Sequence, residues 1–253
     1  MAFFEWRPYV SVAERRRRAQ KEVARLAKKG RTIVPVAIEG RVIAKSFWGK
    51  AWCDNLESYS DYASRMPRGR SYVRNGSVLD LQIAAGRVTA LVSGTEIYEI
   101  AITIARLPKP RWRSVIGACG GKIESVVDLL QGKLSPAILE TLARRGTGLF
   151  PEPREIGLEC TCPDWAFMCK HVAAALYGVG ARLDAQPELF FALRQVDQTE
   201  LLAGAGAGGL VKPKAGRGAK LVDRDKLASV FGIELDEEEP PAPSTTRRVG
   251  RKR

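Results

Sequence analysis

The sequence predicts an α+β fold, an antiparallel β-meander with packed helices, plus a small ββα unit in its C-terminal half. Three observations predict it. Between 78 and 104, β-branched runs are separated by turn residues in "VLDLQIAAGRVTALVSGTEIYEIAITI", the pattern of successive hairpin strands. On either side, "FWGKAWCDNLESYSDYASRM" and residues 109–145 carry apolar residues at helical spacing. Last, "CTCPDWAFMCKH" at 160–171 gathers three of the five cysteines and the only histidine, just ahead of a run of helix formers.

Taken in order, residues 12–29 predict a basic helix with Val12, Val23 and Leu26 as a thin apolar stripe and Gly30 as its stop. "TIVPVAIEGRVIAKS" is β-branched but holds Pro35, so it predicts an extended, peripheral segment. A helix is expected over 47–66, with Phe47, Trp48, Trp52, Leu56 and Tyr59 facing inward. "RMPRGRSYVRNG" is expected as a loop entering the sheet, with Asn75-Gly76 as a hairpin turn. Strands then follow over Val78–Ile83, Val88–Val92 and Ile97–Ile104. Within 109–145, Ser135 caps a helix whose first residue is Pro136. "LFPEPREIGLECTC" leads as an extended segment into the cysteines, "KHVAAALYGVGARLD" is helical, and "PELFFALRQVDQTELLA" supplies two short helices. "GAGAGGLVKPKAGRG" has linker composition. A small helix at 221–235, the acidic clump Asp236 to Glu239 and the basic tail "RRVGRKR" close the chain.

The dozen residues at 160–171 point to a metal. Two apart on an extended strand, Cys160 and Cys162 project from one face, and Pro163-Asp164 offers the chemistry to reverse the chain. Cys169 and His171 are also two apart, a spacing that diverges within a helix. They converge only if the helix starts between them, with Cys169 before it and His171 in its first turn. Three Cys and one His form a closed tetrahedral set for one structural Zn²⁺ per chain; the histidine favours zinc over an iron–sulfur cluster and leaves iron open. Three thiolates and a divalent ion leave about −1 at the site, which Lys170 and the positive end of the following helix would offset.

Cys-x-Cys, six residues, Cys-x-His resembles the SWIM zinc finger of bacterial and archaeal proteins, plant transposase-derived proteins and some kinase-pathway proteins. The likeness to bacterial members extends through "CTCPDWAFMCKHVAAALYGVGARLD", "IAKSFWGKAWCDNLESYSDYASRMPRGRSYVRNGSVLDLQI" and "RRGTGLFP", over most of residues 30–203. It implies zinc ligation by Cys160, Cys162, Cys169 and His171, a role in DNA binding or protein interaction, and association with helicase-like ATPases of the Swi/Snf type. Four regions are expected: a basic N-terminal extension (1–45), an α+β core (46–145), the finger with trailing helices (146–203), and a linker with docking segment and charged tail (204–253).

Lys+Arg 41 against Asp+Glu 28 gives a net charge of +13, which suits a polyanionic partner, nucleic acid first among them. The first 50 residues hold 13 basic and 4 acidic side chains, so much of the excess precedes the core. Arg65, Arg68, Arg70 and Arg74 around Tyr72 suit phosphate contacts with base stacking, or a plain basic loop. Arg15, Arg16, Arg17 and Arg18 form a generic polycation, and Lys170 adds charge at the finger. Cys53 and Cys119 are expected as core thiols. Asp54, Glu57 and Asp61 share one helix face, expected to be solvated rather than a nuclease metal site.

These residues argue against catalysis. The only histidine is a ligand, the metal set has no open position, and no Gly-x-x-x-x-Gly-Lys pattern occurs. The expected function is zinc-stabilised nucleic-acid binding, with DNA as the preferred target, as an accessory to a helicase-like ATPase; the alternative is a protein-interaction adaptor built on the finger. No apolar run is long enough for a membrane span, and the odd, uneven cysteines argue against a disulfide scaffold. A cytoplasmic, nucleoid-associated location is expected.

Overall fold

The computed structural model describes residues 11–59 and 62–202. All of them lie in a unit spanning Met1–Val211; a second unit, Lys212–Arg253, falls outside the described residues. With it go the expected helix at 221–235, the acidic clump and the tail. Asp61 and the side chains of Val12, Arg15 and Arg16 are also outside. Among the described residues, no helix is long and apolar enough to cross a membrane.

The meander forms as its alternation predicts. Strands β1 (Val78–Ala84), β2 (Arg87–Ser93) and β3 (Ile97–Ile104) pair antiparallel in sequence order, and β4 (Ile156–Cys160) adds to β3 after a long helical excursion. The register sets Val88 beside Ile102 and Ala90 beside Ile100, while Ile100 pairs with Cys160. These side chains therefore share the sheet's inner face. On the outer face, helix α1 (Val12–Lys28) lays Ala19, Val23 and Leu26 over Leu79, Leu91 and Ile97. Its stop at Gly30 is as expected, with φ +81°. Residues 34–36 lie beside β1, where Val36 N–H donates to the Val78 carbonyl and Leu81 N–H to the Val34 carbonyl, and the chain then bends from Gly40, at φ +78°, toward Ser46.

The structure corrects the region between 58 and 76. Instead of one helix over 47–66 there are two, α2 (Phe47–Glu57) and α3 (Met66–Arg74). The apolar spacing does run through both, since Trp48, Trp52, Leu56, Tyr59, Tyr62 and Met66 are all buried. Helix α2 stops at Glu57 with Ser58 as its cap, and α3 starts afresh at Met66 with Pro67 in its first turn, where the missing N–H costs no helical bond. The expected basic loop is thus a helix. Asn75-Gly76 ends it rather than turning a hairpin, with Asn75 at the cap and Gly76 at φ +69°. A left-handed residue serves either purpose, and the buried stripe Met66, Gly69 and Val73 decides for the helix.

Helix α4 (Lys109–Cys119), α5 (Val126–Gln131) and α6 (Pro136–Ala143) fill the excursion, with Ser135 at the cap position of α6 but no cap hydrogen bond from its side chain. Helix α7 (Lys170–Ala185) is the centre of the fold, and α8 (Glu188–Arg194) follows it. Every residue of α7 from His171 to Gly180 is buried; a helix apolar all round must be enclosed. Helices α2 and α3 and the sheet enclose it. Gly69 of α3 meets Ala173 so closely that a Cβ there would collide with it, and Trp52 Nε1 donates to the Leu176 carbonyl at 2.8 Å. The strand and helix bearing the cysteines and histidine are therefore an edge strand of the main sheet and the core helix. Cys53 and Cys119 are buried free thiols, as expected.

Candidate metal centre

The site grows from the end of β4 and the start of α7. The strand stops at Cys160, the chain bends through Thr161–Pro163, and Cys162 lies past the strand end. The finger has no second strand of its own; the partner strand of its ββα unit is β3. Asp164 shapes the return, accepting from Ala166 N–H at 3.2 Å and pairing with Arg65 at 3.5 Å. Met168, 3% exposed, anchors the return in the core. Cys169 then occupies the cap position of α7, with extended backbone, and its Sγ accepts from Val172 N–H at 3.5 Å. The sulfur does what a serine or aspartate oxygen does at other helix starts. His171 stands in the first turn, as the spacing requires.

One potential ligand atom from each of Cys160, Cys162, Cys169 and His171 lies within 4.8 Å of all the others. On a tetrahedral zinc with bonds of about 2.0–2.3 Å, ligands are separated by roughly 3.5–3.8 Å. Cys169 Sγ and His171 Nδ1 are 3.8 Å apart. The imidazole is held by packing: Tyr98 stacks on it at 4.4 Å between ring centroids, Tyr72 meets it edge-on at 5.5 Å, and a Cβ on Gly94 would come within 2.7 Å of Nε2. Buried Nε2 has no hydrogen-bond partner among the described residues, so the ring is not positioned by a polar network. Geometry and donor chemistry both fit one zinc ion.

The thiols are unequal acids. Cys169 is held down, to about 3, first by the hydrogen bond from the Cys160 thiol, against burial, and then by His171 and Val172 N–H. Cys160 is pushed up by holding that shared proton and by burial. Cys162 is also pushed up, chiefly by burial. A divalent cation replaces these protons, so binding is linked to proton release. With zinc bound, the set is closed and its chemistry is structural: it ties the edge of the sheet to the core helix.

The basic residues separate into groups. At 100° per residue, Arg65, Arg68 and Tyr72 fall within about 60° of one another on α3, on the flank beside the finger. Arg68 is exposed; Tyr72 is half-buried against His171, with Lys170 Nζ over its ring at 5.9 Å. Arg70 lies on the other flank, bound to Glu57 at 2.5 Å and to the Tyr177 hydroxyl at 3.2 Å, and Arg74 points to solvent there. Glu57 is therefore engaged rather than simply solvated. Arg17 and Arg18 are exposed on α1, Arg18 pairing with Glu14. The five residues grouped at 65–74 thus face two ways. Sequence reasoning missed Trp165, 97% exposed, and Phe167, 67% exposed. Two aromatics in the six residues between the ligand pairs were the available sign.

Comparison with known proteins agrees with this geometry. Residues 148–179 match the SWIM zinc finger. Over 168 residues the chain is 37% identical to Rv2102, an uncharacterized protein of Mycobacterium tuberculosis. The alignment covers 65% of this chain and 60% of that relative, so the chain spans less than two thirds of its length. No solved structure matches. The profile match and the four converging donors lead to one conclusion: the chain contains a SWIM zinc finger in which Cys160, Cys162, Cys169 and His171 bind a single Zn²⁺.

Proposed function

We propose that this is a non-catalytic nucleic-acid-binding protein, with DNA as its preferred target, whose zinc finger fixes a basic surface and which acts beside a helicase-like ATPase. The observation that carries the reading is the flank of α3 next to the finger. There Arg65 pairs with Asp164 of the finger, Arg68 is exposed, and Lys170 lies beside Tyr72. A chain of net charge +13 supplies a long-range attraction to polyanions. The ion holds β4 and α7 together, so the spacing between the finger and α3 is set before any ligand arrives.

The test is a titration of labelled DNA across salt concentrations. Affinity should fall linearly with salt on logarithmic axes, and Arg68→Ala should lower the slope by about one. Binding that ignores salt, or no binding at low salt, defeats the reading. An adaptor role is the second reading, favoured by the exposed aromatics of the finger; a stoichiometric protein partner recovered from nuclease-treated extract, with no nucleic-acid binding by the purified chain, would establish it.

A further inference from the structure

Among the described residues, Trp48, Trp52 and Trp112 are at most 6% exposed, whereas Trp165 is 97% exposed. Val42, Val127, Trp165 and Phe167 are the exposed large hydrophobics in that same set, and two of the four stand on one short loop. This loop is not slack. It runs between two zinc ligands, is pinned by Met168 in the core, is turned by Asp164 onto Ala166 N–H, and is tied to α3 through Arg65. A loop fixed at both ends that still holds two rings in water presents them with little ordering cost left to binding.

Resting on the nucleic-acid reading, we infer that residues 163–168 form a stacking platform on which Trp165 and Phe167 each take an unpaired base of a single-stranded nucleic acid, whose phosphates run toward Arg68 and Lys170. Aromatic faces bind bases of any identity once those bases are unstacked; a duplex hides the faces these rings need. Charge supports a polyanion. The carboxylate on the loop, Asp164, is offset by Arg65. Glu159 alternates with Cys160 on β4 and pairs with Ala101, so it belongs to the opposite face of the sheet from the ligand. Area argues against a protein occupant of the rings alone. A tryptophan and a phenylalanine offer roughly 150–250 Å² each, well short of the about 800 Å² per partner of a stable interface.

The experiment uses the full zinc-loaded chain and two labelled probes, a 20-nucleotide oligothymidylate and a 20-base-pair duplex, read by fluorescence anisotropy. Trp165→Ala and Phe167→Ala should each weaken single-strand binding about tenfold. Duplex binding, zinc content and Tm should stay at parental values, because both rings are exposed. Trp165→Phe should restore most of the lost affinity. If the parent binds both probes and the double alanine variant keeps its single-strand affinity within about twofold, the platform is wrong and the general proposal stands. If the parent binds neither probe at low salt, both fall. If the double variant loses a nuclease-resistant complex with a purified protein partner while binding the oligonucleotide as before, the rings serve a protein and the platform is overturned.

Discussion

Strand β4 carries a polar cluster at each end, and the two solve the same problem differently. Just before it, Glu155 accepts from Arg111 at 3.0 Å and from fully buried Arg194 at 3.3 Å, and Arg194 also donates to the Ala105 carbonyl. At its far end stand three thiols and an imidazole. The first cluster sets one carboxylate between two guanidiniums, all supplied by the chain itself, although Arg111 Nε and Arg194 Nε are buried with no hydrogen-bond partner among the described residues. The second contains only donors to a cation, so the chain cannot complete it. Burial of charge is tolerated only where the charge is paired, and this strand shows both ways of pairing it.

That contrast can be broken from either side. The largest effect belongs to the metal end: structural zinc sites in small fingers are worth about 10–16 kcal/mol of apparent binding free energy. Cys160→Ser should therefore abolish stoichiometric zinc and expose amides 161–172 to exchange, while β1 to β3 stay protected by their own packing. Zinc at parental levels in that variant, measured by inductively coupled plasma mass spectrometry, would refute the ligand set. Next comes the arginine end. Glu155→Ala leaves two guanidiniums without their anion and should cost about 3–5 kcal/mol in urea unfolding with zinc content unchanged. The clusters lie about 17 Å apart along the strand, so the two substitutions should add; strong coupling would show that the ends form one unit.

Acid sharpens the comparison. Burial pushes Glu155 up, but Glu152 N–H, Arg194 and Arg111 outweigh it and hold the carboxyl below the ordinary range. A depressed carboxylate contributes its stability above its unfolded value of about 4.3, and that contribution is lost as pH falls through the lower folded value. Zinc affinity also falls as protons compete for the thiolates. The metal end should fail first on acidification, seen as zinc release to a chromophoric chelator before the main loss of tertiary circular dichroism. The reverse order would contradict this ranking. The smallest effect concerns thiols. Cys53 is pushed up to about 12 by burial first, then by Glu57, Asp54 and Asp184, and burial raises Cys119. Both should stay neutral and slow to alkylate at pH 8, so chelation should add three reactive thiols, not five.

The finger was legible because metal ligands are few in kind and their spacing constrains backbone direction: Cys169 and His171 converge only at a helix start, and the structure places them there. The meander was legible from alternation alone. Three features were not. The break between Glu57 and Met66 hides in an apolar period that runs unbroken from Trp48 to Met66. The division of the 65–74 arginines depends on which face of α3 meets α7, which Gly69 and Ala173 settle by close approach. The stacking of Tyr98 and Tyr72 on His171 joins β3, α3 and α7, elements far apart in the chain.

By itself, the sequence determined the ligand set, the helix start between its last two members, the three consecutive strands and the excess of positive charge. These follow from local geometry and residue chemistry, which act over a few positions. Only the tertiary structure decided that the finger is the edge of the main sheet joined to its core helix, that Arg68 faces the finger while Arg70 is bound to Glu57 and Tyr177, and that Trp165 and Phe167 are left in water. Those outcomes depend on what packs against each side chain, and a neighbour brought from a hundred residues away leaves no mark on local spacing.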